Sequence, residues 1–327
     1  MPSEADHQRG VYVPARFIPT PSTISPAAQA CLSAVVERAP PPPAFDKAAW
    51  RTHIATVDQG LIAMTSERAA EHPAEIVKHD LTAVALYELI PAKMTAGQNA
   101  RAIFYIHGGG FTFGGGMAAA YAAVPPAGLA GIRAFSIDYR MPPDHPFPTG
   151  LDDCVEAYRW ILARHRPEDI IVYGPSAGGG LAAAFVLKAR DIGLPLPKAC
   201  VLHSPEVDLT ESGDTFETND TVDVVLKHRL SASIALYADG HDLADPYLSP
   251  VFGDFSKGFP PTILTSGTRD LFLSNTVRLH RALQRAGVTA ELQLWEAMPH
   301  GGFFWAPEDE EVQLEHARFI RRQFGFG

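Results

Sequence analysis

From residue 80 onward, short apolar runs alternate with stretches of helical length, and few folds can use that pattern. Ala83–Leu89, Ala102–Ile106, Ala134–Ile137, Ile170–Tyr173, Cys200–His203, Thr262–Thr265 and Ala290–Trp295 have the length and composition of strands. Leu151–Ala163, Gly179–Arg190, Asn275–Ala286 and Glu308–Gln323 read as helices between or after them. Gly287 stands just past the third, where a helix end favours glycine. Strands joined through helices run parallel, and a parallel sheet is covered by helices on both faces. The expectation is an α/β fold built on a mostly parallel, doubly covered sheet.

The first 80 residues read differently. They are rich in proline (Pro14, Pro19, Pro21, Pro26 and Pro40–Pro43) and carry few strand signals. Ser25-Pro26 has the form of a helix start, followed by Ala27–Arg38 at helical period. Pro40–Pro43 stops that helix before a second one near Asp46–Arg68. The stretch from Pro205 to about Pro250 is long and lacks a strand. Both regions are expected on top of the sheet rather than in it. The divisions are therefore 1–80 for N-terminal helices and entry to the sheet, 81–204 for the first part of the core, 205–250 for a second overlying segment, and 251–327 for the rest of the core.

Composition excludes several classes of function. The net charge of −10 argues against nucleic acid or an anionic membrane surface as partner. Cys31, Cys154 and Cys200 are odd in number and widely spaced, so neither a disulfide framework nor a zinc cluster is suggested, and a reducing, cytoplasmic compartment fits. The first ten residues have no apolar core of a secretion signal, and no apolar run reaches the ~18 residues that a membrane span needs. No H-E-x-x-H or other clustered ligand spacing is present, so no metal is expected.

The chemistry concentrates at one turn. Ile170–Tyr173 runs directly into Gly174-Pro175-Ser176-Ala177-Gly178 and then into an alanine-rich helix. This is the G-x-S-x-G spacing in its required strand–turn–helix setting, where a strained turn exposes the serine Oγ and a side chain at Gly174 or Gly178 would collide. The following helix aims free N–H groups and the positive end of its dipole at the site. A serine in a glycine-rich turn is common, and a packing turn or phosphate-cradling loop is the bland alternative. No lysine follows the glycines as a P-loop requires, and no G-x-G-x-x-G opens the helix. Ser176 is the candidate nucleophile.

Its partners lie at other strand ends. His107-Gly108-Gly109-Gly110 follows the run Ala102–Ile106, and consecutive glycines let backbone N–H groups approach a developing oxyanion closely. The natural donors are Gly108, Gly109 and Ala177, with a merely flexible loop as the alternative. His107 reads as a residue that holds this loop rather than as a base. Asp270 follows the run Thr262–Thr265 and His300 follows Ala290–Trp295, which puts both at the sheet edge that bears Ser176. The order Ser176, Asp270, His300 is the one an α/β-hydrolase uses. The chain has thirteen histidines, most of them best read as surface or core residues; His300 differs by its strand end, its glycines Gly301 and Gly302 and its spacing from Asp270. Asp208 is the rival for the acid.

Taken together, these residues resemble the hormone-sensitive-lipase-like family of bacterial esterases, from about residue 80 to the end. The resemblance rests on His107–Gly110, the elbow Gly174–Gly179, "DYRMPPDHPFP" at Asp138–Pro148, "SPEVDLTESGDTFETND", "DPYLSP" at Asp245–Pro250, "GTRDLFL" and "MPHGGF". It implies the α/β-hydrolase fold, a central sheet of about eight strands, a helical cap made from the N-terminal region and the Pro205–Pro250 segment, a small-molecule ester substrate with a short-to-medium acyl chain, no cofactor, and a homodimer formed through the edge strand near the C-terminus. Pro175 departs from the family's usual aspartate, Asp144 from a glutamate, and Pro142 from an alanine. Glu206 stands where a bulky apolar residue is frequent; it either pairs with a cap residue or faces the pocket and favours a polar alcohol or a water. Phe111, Phe113 and Phe303 are candidate pocket walls, with Phe17, Ile18 and Trp50 contributed from the cap; core packing is an equal reading for each. Lactone or amide hydrolysis on the same triad, and a noncatalytic receptor on the same fold, are the alternatives.

Overall fold

The computed structural model of the chain describes residues 10–34 and 40–326. Eight strands make one sheet: β1 (Ala74–Asp80), β2 (Ala85–Pro91), β3 (Ala102–Ile106), β4 (Arg133–Asp138), β5 (Ile170–Pro175), β6 (Ala199–His203), β7 (Thr262–Gly267) and β8 (Ala290–Trp295). Their order across the sheet is β1-β2-β4-β3-β5-β6-β7-β8. β2 pairs antiparallel with both β1 and β4, and every pair from β4 through β8 is parallel. The mostly parallel α/β sheet expected from the alternation is present.

The central strands read as continuous apolar runs because both of their faces are covered. Phe104 and Ile106 of β3, with Ile170 and Val172 of β5, point to one face, where α4 (Thr149–Leu162), α5 (Ala177–Asp191) and α8 (Leu273–Arg285) pack. Ile103, Tyr105, Ile171 and Tyr173 point to the other, against α3 (Met117–Ala130) and α9 (Pro307–Phe324). α3 escapes sequence reading because it is apolar on all sides and contains Pro125 and Pro126. β1 escapes it because this edge strand, AEIVKHD, has no buried residue.

The remaining elements lie outside the sheet. α1 (Pro26–Ser33) is capped by Ser25, whose Oγ accepts from the Ala28 N–H. It covers a smaller core in which Ile24, Ala28 and Leu32 meet Met298, Phe303 and Val312. The N–H and Oγ of Ser25 both donate to Glu308 in the first turn of α9, at 2.7 and 2.8 Å. The helix expected over Ala27–Arg38 is seen to Ser33, and residues 35–39 lie outside the described residues. α2 (Lys47–Ala70) runs beside α3. Between β6 and β7 the chain forms α6 (Thr215–Thr218) and α7 (Ser231–Ala238) and no strand. No helix among the described residues is long and apolar enough to cross a membrane.

Candidate active site

β5 gives way to α5 with no linker, and Ser176 occupies the junction at φ 54°, ψ −128°. A non-glycine residue there stores of order 1–3 kcal/mol of strain. The surroundings hold it in place: Ser176 N–H donates to His203 C=O at 2.8 Å, and Glu206 N–H donates to Ser176 C=O at 3.0 Å. The flanking glycines let strand, turn and helix meet. A Cβ on Gly178 would lie 2.1 Å from Ile106 O, and one on Gly174 would lie 2.3 Å from Gly178 O.

Three side chains form a line at this edge. Ser176 Oγ is 2.9 Å from His300 Nε2, and His300 Nδ1 is 3.0 Å from Asp270 Oδ1. Asp270 is fully buried. Burial pushes its carboxyl up, but the His300 ring and hydrogen bonds from His300, Ser266 and Ser204 outweigh that and hold it below the usual carboxylate range. Asp270 is therefore the ionised acceptor, and Nδ1 carries the proton it accepts. Nε2 then presents a lone pair to the Ser176 hydroxyl. His300 is shifted the other way. Burial lowers its proton affinity, but Asp270 and, behind it, Asp223 raise it above the ordinary histidine value. A neutral imidazole placed so can take the hydroxyl proton and be stabilised once charged.

The glycine loop after β3 lies against the same turn. A Cβ on Gly108 would sit 3.2 Å from Ser176 Cβ. Among the described residues, the N–H groups of Gly108, Gly109 and Ala177 have no acceptor. His107 is buried, and its Nδ1 donates to Gly108 C=O at 2.7 Å. Burial holds its pKa down, and it makes no hydrogen bond to Ser176. The Asp138–Pro148 motif braces this loop. Tyr139 stacks on the His107 ring at 4.2 Å and donates its hydroxyl to His107 C=O, while Asp138 Oδ1 accepts from Gly116 N–H at 2.8 Å.

Residues 103–304 match a family described as the alpha/beta hydrolase fold. The chain belongs to the α/β-hydrolase family. An acetyl-hydrolase of Streptomyces hygroscopicus is 32% identical over 71% of this chain and 79% of its own length. An esterase of Acinetobacter venetianus is 30% identical over 66% of this chain and 73% of its own. Among solved structures, one esterase superposes with a TM-score of 0.87 at 33% identity, covering 96% of this chain and 99% of its own. Another, from the bacterial hormone-sensitive lipase family, gives a TM-score of 0.76 at 28% identity over 92% and 99%. The resemblance to hormone-sensitive-lipase-like bacterial esterases is thus borne out.

The other predicted residues of this α/β-hydrolase fall in varied places. Asp208 is ion-paired with Arg278 and bonded to Thr210 and Ser212, so it is already occupied away from His300. Phe111 is buried in a stack on Tyr237 at 4.3 Å. Phe113 is half-buried, and Gly110 lies next to Leu230 and Ser233. Phe303 is buried under α1. Trp50 is buried and donates to Pro43 C=O, whereas Phe17 is 88% and Ile18 37% exposed. Glu206 is buried, and neither carboxyl oxygen has a partner among the described residues; burial pushes its pKa up to about 8. A cavity of about 230 Å³ borders the His300 loop, lined by Tyr105, Tyr173, Pro175, His203, Gly301 and Trp305 among others, and none of Phe111, Phe113, Glu206 or Phe303 lines it.

Three supporting residues were missed by sequence reasoning. Asp58 of α2 accepts from Gly114 N–H at 2.7 Å, pinning the glycine loop from outside the sheet. Asn219 and Asp223, from the segment between β6 and β7, bond to the loops that carry Asp270 and His300. Their contacts span 48 to 77 residues of sequence, and no short motif marks such a pairing.

Proposed function

We propose that this α/β-hydrolase is a serine carboxylesterase acting on short-to-medium acyl esters. The observation that carries the reading is the unbroken line from Ser176 Oγ through His300 to buried Asp270, 2.9 and 3.0 Å long. Ser176 Oγ attacks the ester carbonyl carbon while His300 Nε2 takes its proton. The carbonyl oxygen becomes an oxyanion held by the N–H groups of Gly108, Gly109 and Ala177. As the ester C–O bond breaks, His300 returns the proton to the departing alkoxide, leaving an acyl-Ser176 and an alcohol. Water then attacks the acyl carbon with His300 again as base, releasing the carboxylic acid and restoring the hydroxyl. Asp270 keeps the proton on Nδ1 and stabilises the imidazolium. The helices of the first 80 residues and the segment 205–250 form the cap that limits the site. The esterase and acetyl-hydrolase names of the relatives support an ester as the substrate.

The test is hydrolysis of p-nitrophenyl esters from acetate to dodecanoate by the wild type and by Ser176→Ala. The wild type should prefer the short chains, and the variant should lose activity by about 10⁶-fold while keeping its fold. Retained activity in Ser176→Ala would overturn the nucleophile. Inactivity on every ester would turn attention to lactones and amides.

A further inference from the structure

The segment between β6 and β7 places a carboxylate where the reaction just described has no use for one. Asp223 is fully buried. Its hydrogen bonds come from four backbone N–H groups. Oδ1 accepts from Val225 and Leu226, both at 2.9 Å, and Oδ2 accepts from Leu271 at 2.9 Å and from His300 at 3.0 Å. Among the described residues it has four donors and no acceptor, which suits the ionised form, because a protonated carboxyl would have to aim its own O–H at one of them.

The geometry of Oδ2 is specific. Leu271 follows the triad acid and His300 is the triad base, so a single oxygen bridges the loops that leave β7 and β8. Asn219, four residues earlier, grips the first of these loops again, donating to Asp270 C=O at 2.9 Å and Thr268 C=O at 3.2 Å. The titratable groups around His300 are Asp270 beyond β7, Asp223 from the overlying segment, Glu206 after β6, which burial keeps protonated, and the His203 ring of β6, which burial keeps neutral. Asp223 is thus a second carboxylate acting on the imidazole, from a segment outside the sheet.

We propose that Asp223 is a positioning residue for the reaction: it ties the Asp270 loop to the His300 loop through one oxygen and sets a second buried negative charge against the imidazolium that forms on His300. The proposal rests on the Ser176–His300–Asp270 reading. Burial pushes the Asp223 carboxyl up and Asp270 adds to that; His300 and the backbone N–H groups of Leu226 and Leu271 pull it back only in part, so it stays above the ordinary carboxylate value.

The experiment compares Asp223→Asn, Asp223→Ser and Asn219→Ala with the wild type. It measures the pH dependence of kcat/KM and the titration of the His300 imidazole by NMR. Both Asp223 variants should lower kcat by about tenfold or more, and both should move the acid limb and the His300 titration to lower pH by on the order of half a unit. Asn219→Ala removes a tie but no charge, so it should lower kcat and leave the titration in place. An unmoved His300 titration in the folded Asp223 variants would make the carboxylate a structural tie only and overturn the proposal. So would wild-type kcat/KM, or failure of both Asp223 variants to fold. If Ser176→Ala stays active, the nucleophile assignment fails instead, while the His300 titration still reads the effect of Asp223.

Discussion

His300 can accept a proton from Ser176 only while neutral, and its surroundings favour the charged form. Asp270 and Asp223 raise its proton affinity against the burial that lowers it. The acid limb of kcat/KM should therefore lie above the ordinary histidine value of about 6.5, with activity rising as His300 deprotonates and reaching a plateau at higher pH. A pH–rate profile from 5 to 9 measures this, and an acid limb at or below that value contradicts it. Asp270→Asn should cost about 10⁴-fold in kcat, because the ring loses the tautomer that faces Nε2 to the serine. Glu206 makes a separate prediction, about stability. Its carboxyl has no partner among the described residues, and burial raises its pKa from the ordinary 4.5 to about 8. Between those values the folded chain holds a proton that the unfolded chain has released, so stability falls as pH rises, by roughly 1.4 kcal/mol per unit, until the folded group ionises. Glu206→Gln keeps the shape and removes the titration. Its melting temperature should match the wild type near pH 4.5, exceed it increasingly up to about pH 8, and hold that lead toward pH 9. A constant difference across that range would mean that the carboxyl finds a partner when charged.

At the scale of elements, the meeting of β3, β5 and α5 is the feature that least tolerates change. Gly178→Ala would set a Cβ 2.1 Å from Ile106 O and 2.5 Å from His107 O, so helix and glycine loop must move apart. That motion separates Ala177 N–H from the Gly108 and Gly109 N–H groups. On the proposed mechanism the expected result is a loss of kcat of at least about 10²-fold with a lowered melting temperature, since one oxyanion donor alone is worth that much. Gly60 is the contrasting case. It lies inside α2 with nothing within 4 Å of the missing Cβ, so Gly60→Ala should stabilise by about 0.5–1 kcal/mol and leave kcat unchanged. Thermal melts and ester hydrolysis on the two variants test both. The elbow was legible in the sequence because local rules govern it: a buried strand, glycines at contact positions and a helix start within eleven residues. β1 and α3 were not. The half-exposed edge strand AEIVKHD has no apolar face to read, and α3 hides its helical period behind uniform alanine and two prolines.

At the scale of the whole molecule, the His300 loop is clasped from two sides by chain that is not part of the sheet. Asp223 holds it from the segment between β6 and β7, and α1 covers Met298 and Phe303 from the other side while Ser25 ties to Glu308. The strand-end positions of Ser176, Asp270 and His300 could be read from the sequence because each follows a recognisable apolar run. This clasp could not, because it joins Asp223 to His300 across 77 residues and Ser25 to Glu308 across 283. The consequence is an order of loss. The sheet is buried on both faces by two large cores, whereas α1 is eight residues long and rests on one small one. Small peripheral units open at lower free energy than the main core. In urea, esterase activity should therefore vanish at a lower concentration than the far-UV circular dichroism of the sheet and its helices. Leu32→Ala should widen the gap, because it removes packing worth about 2–5 kcal/mol from the α1 core alone. Its activity midpoint should fall while its dichroism midpoint stays close to that of the wild type. Coincident midpoints in both proteins would mean that the clasp and the sheet unfold as one unit, and that the base loop draws its order from the main core.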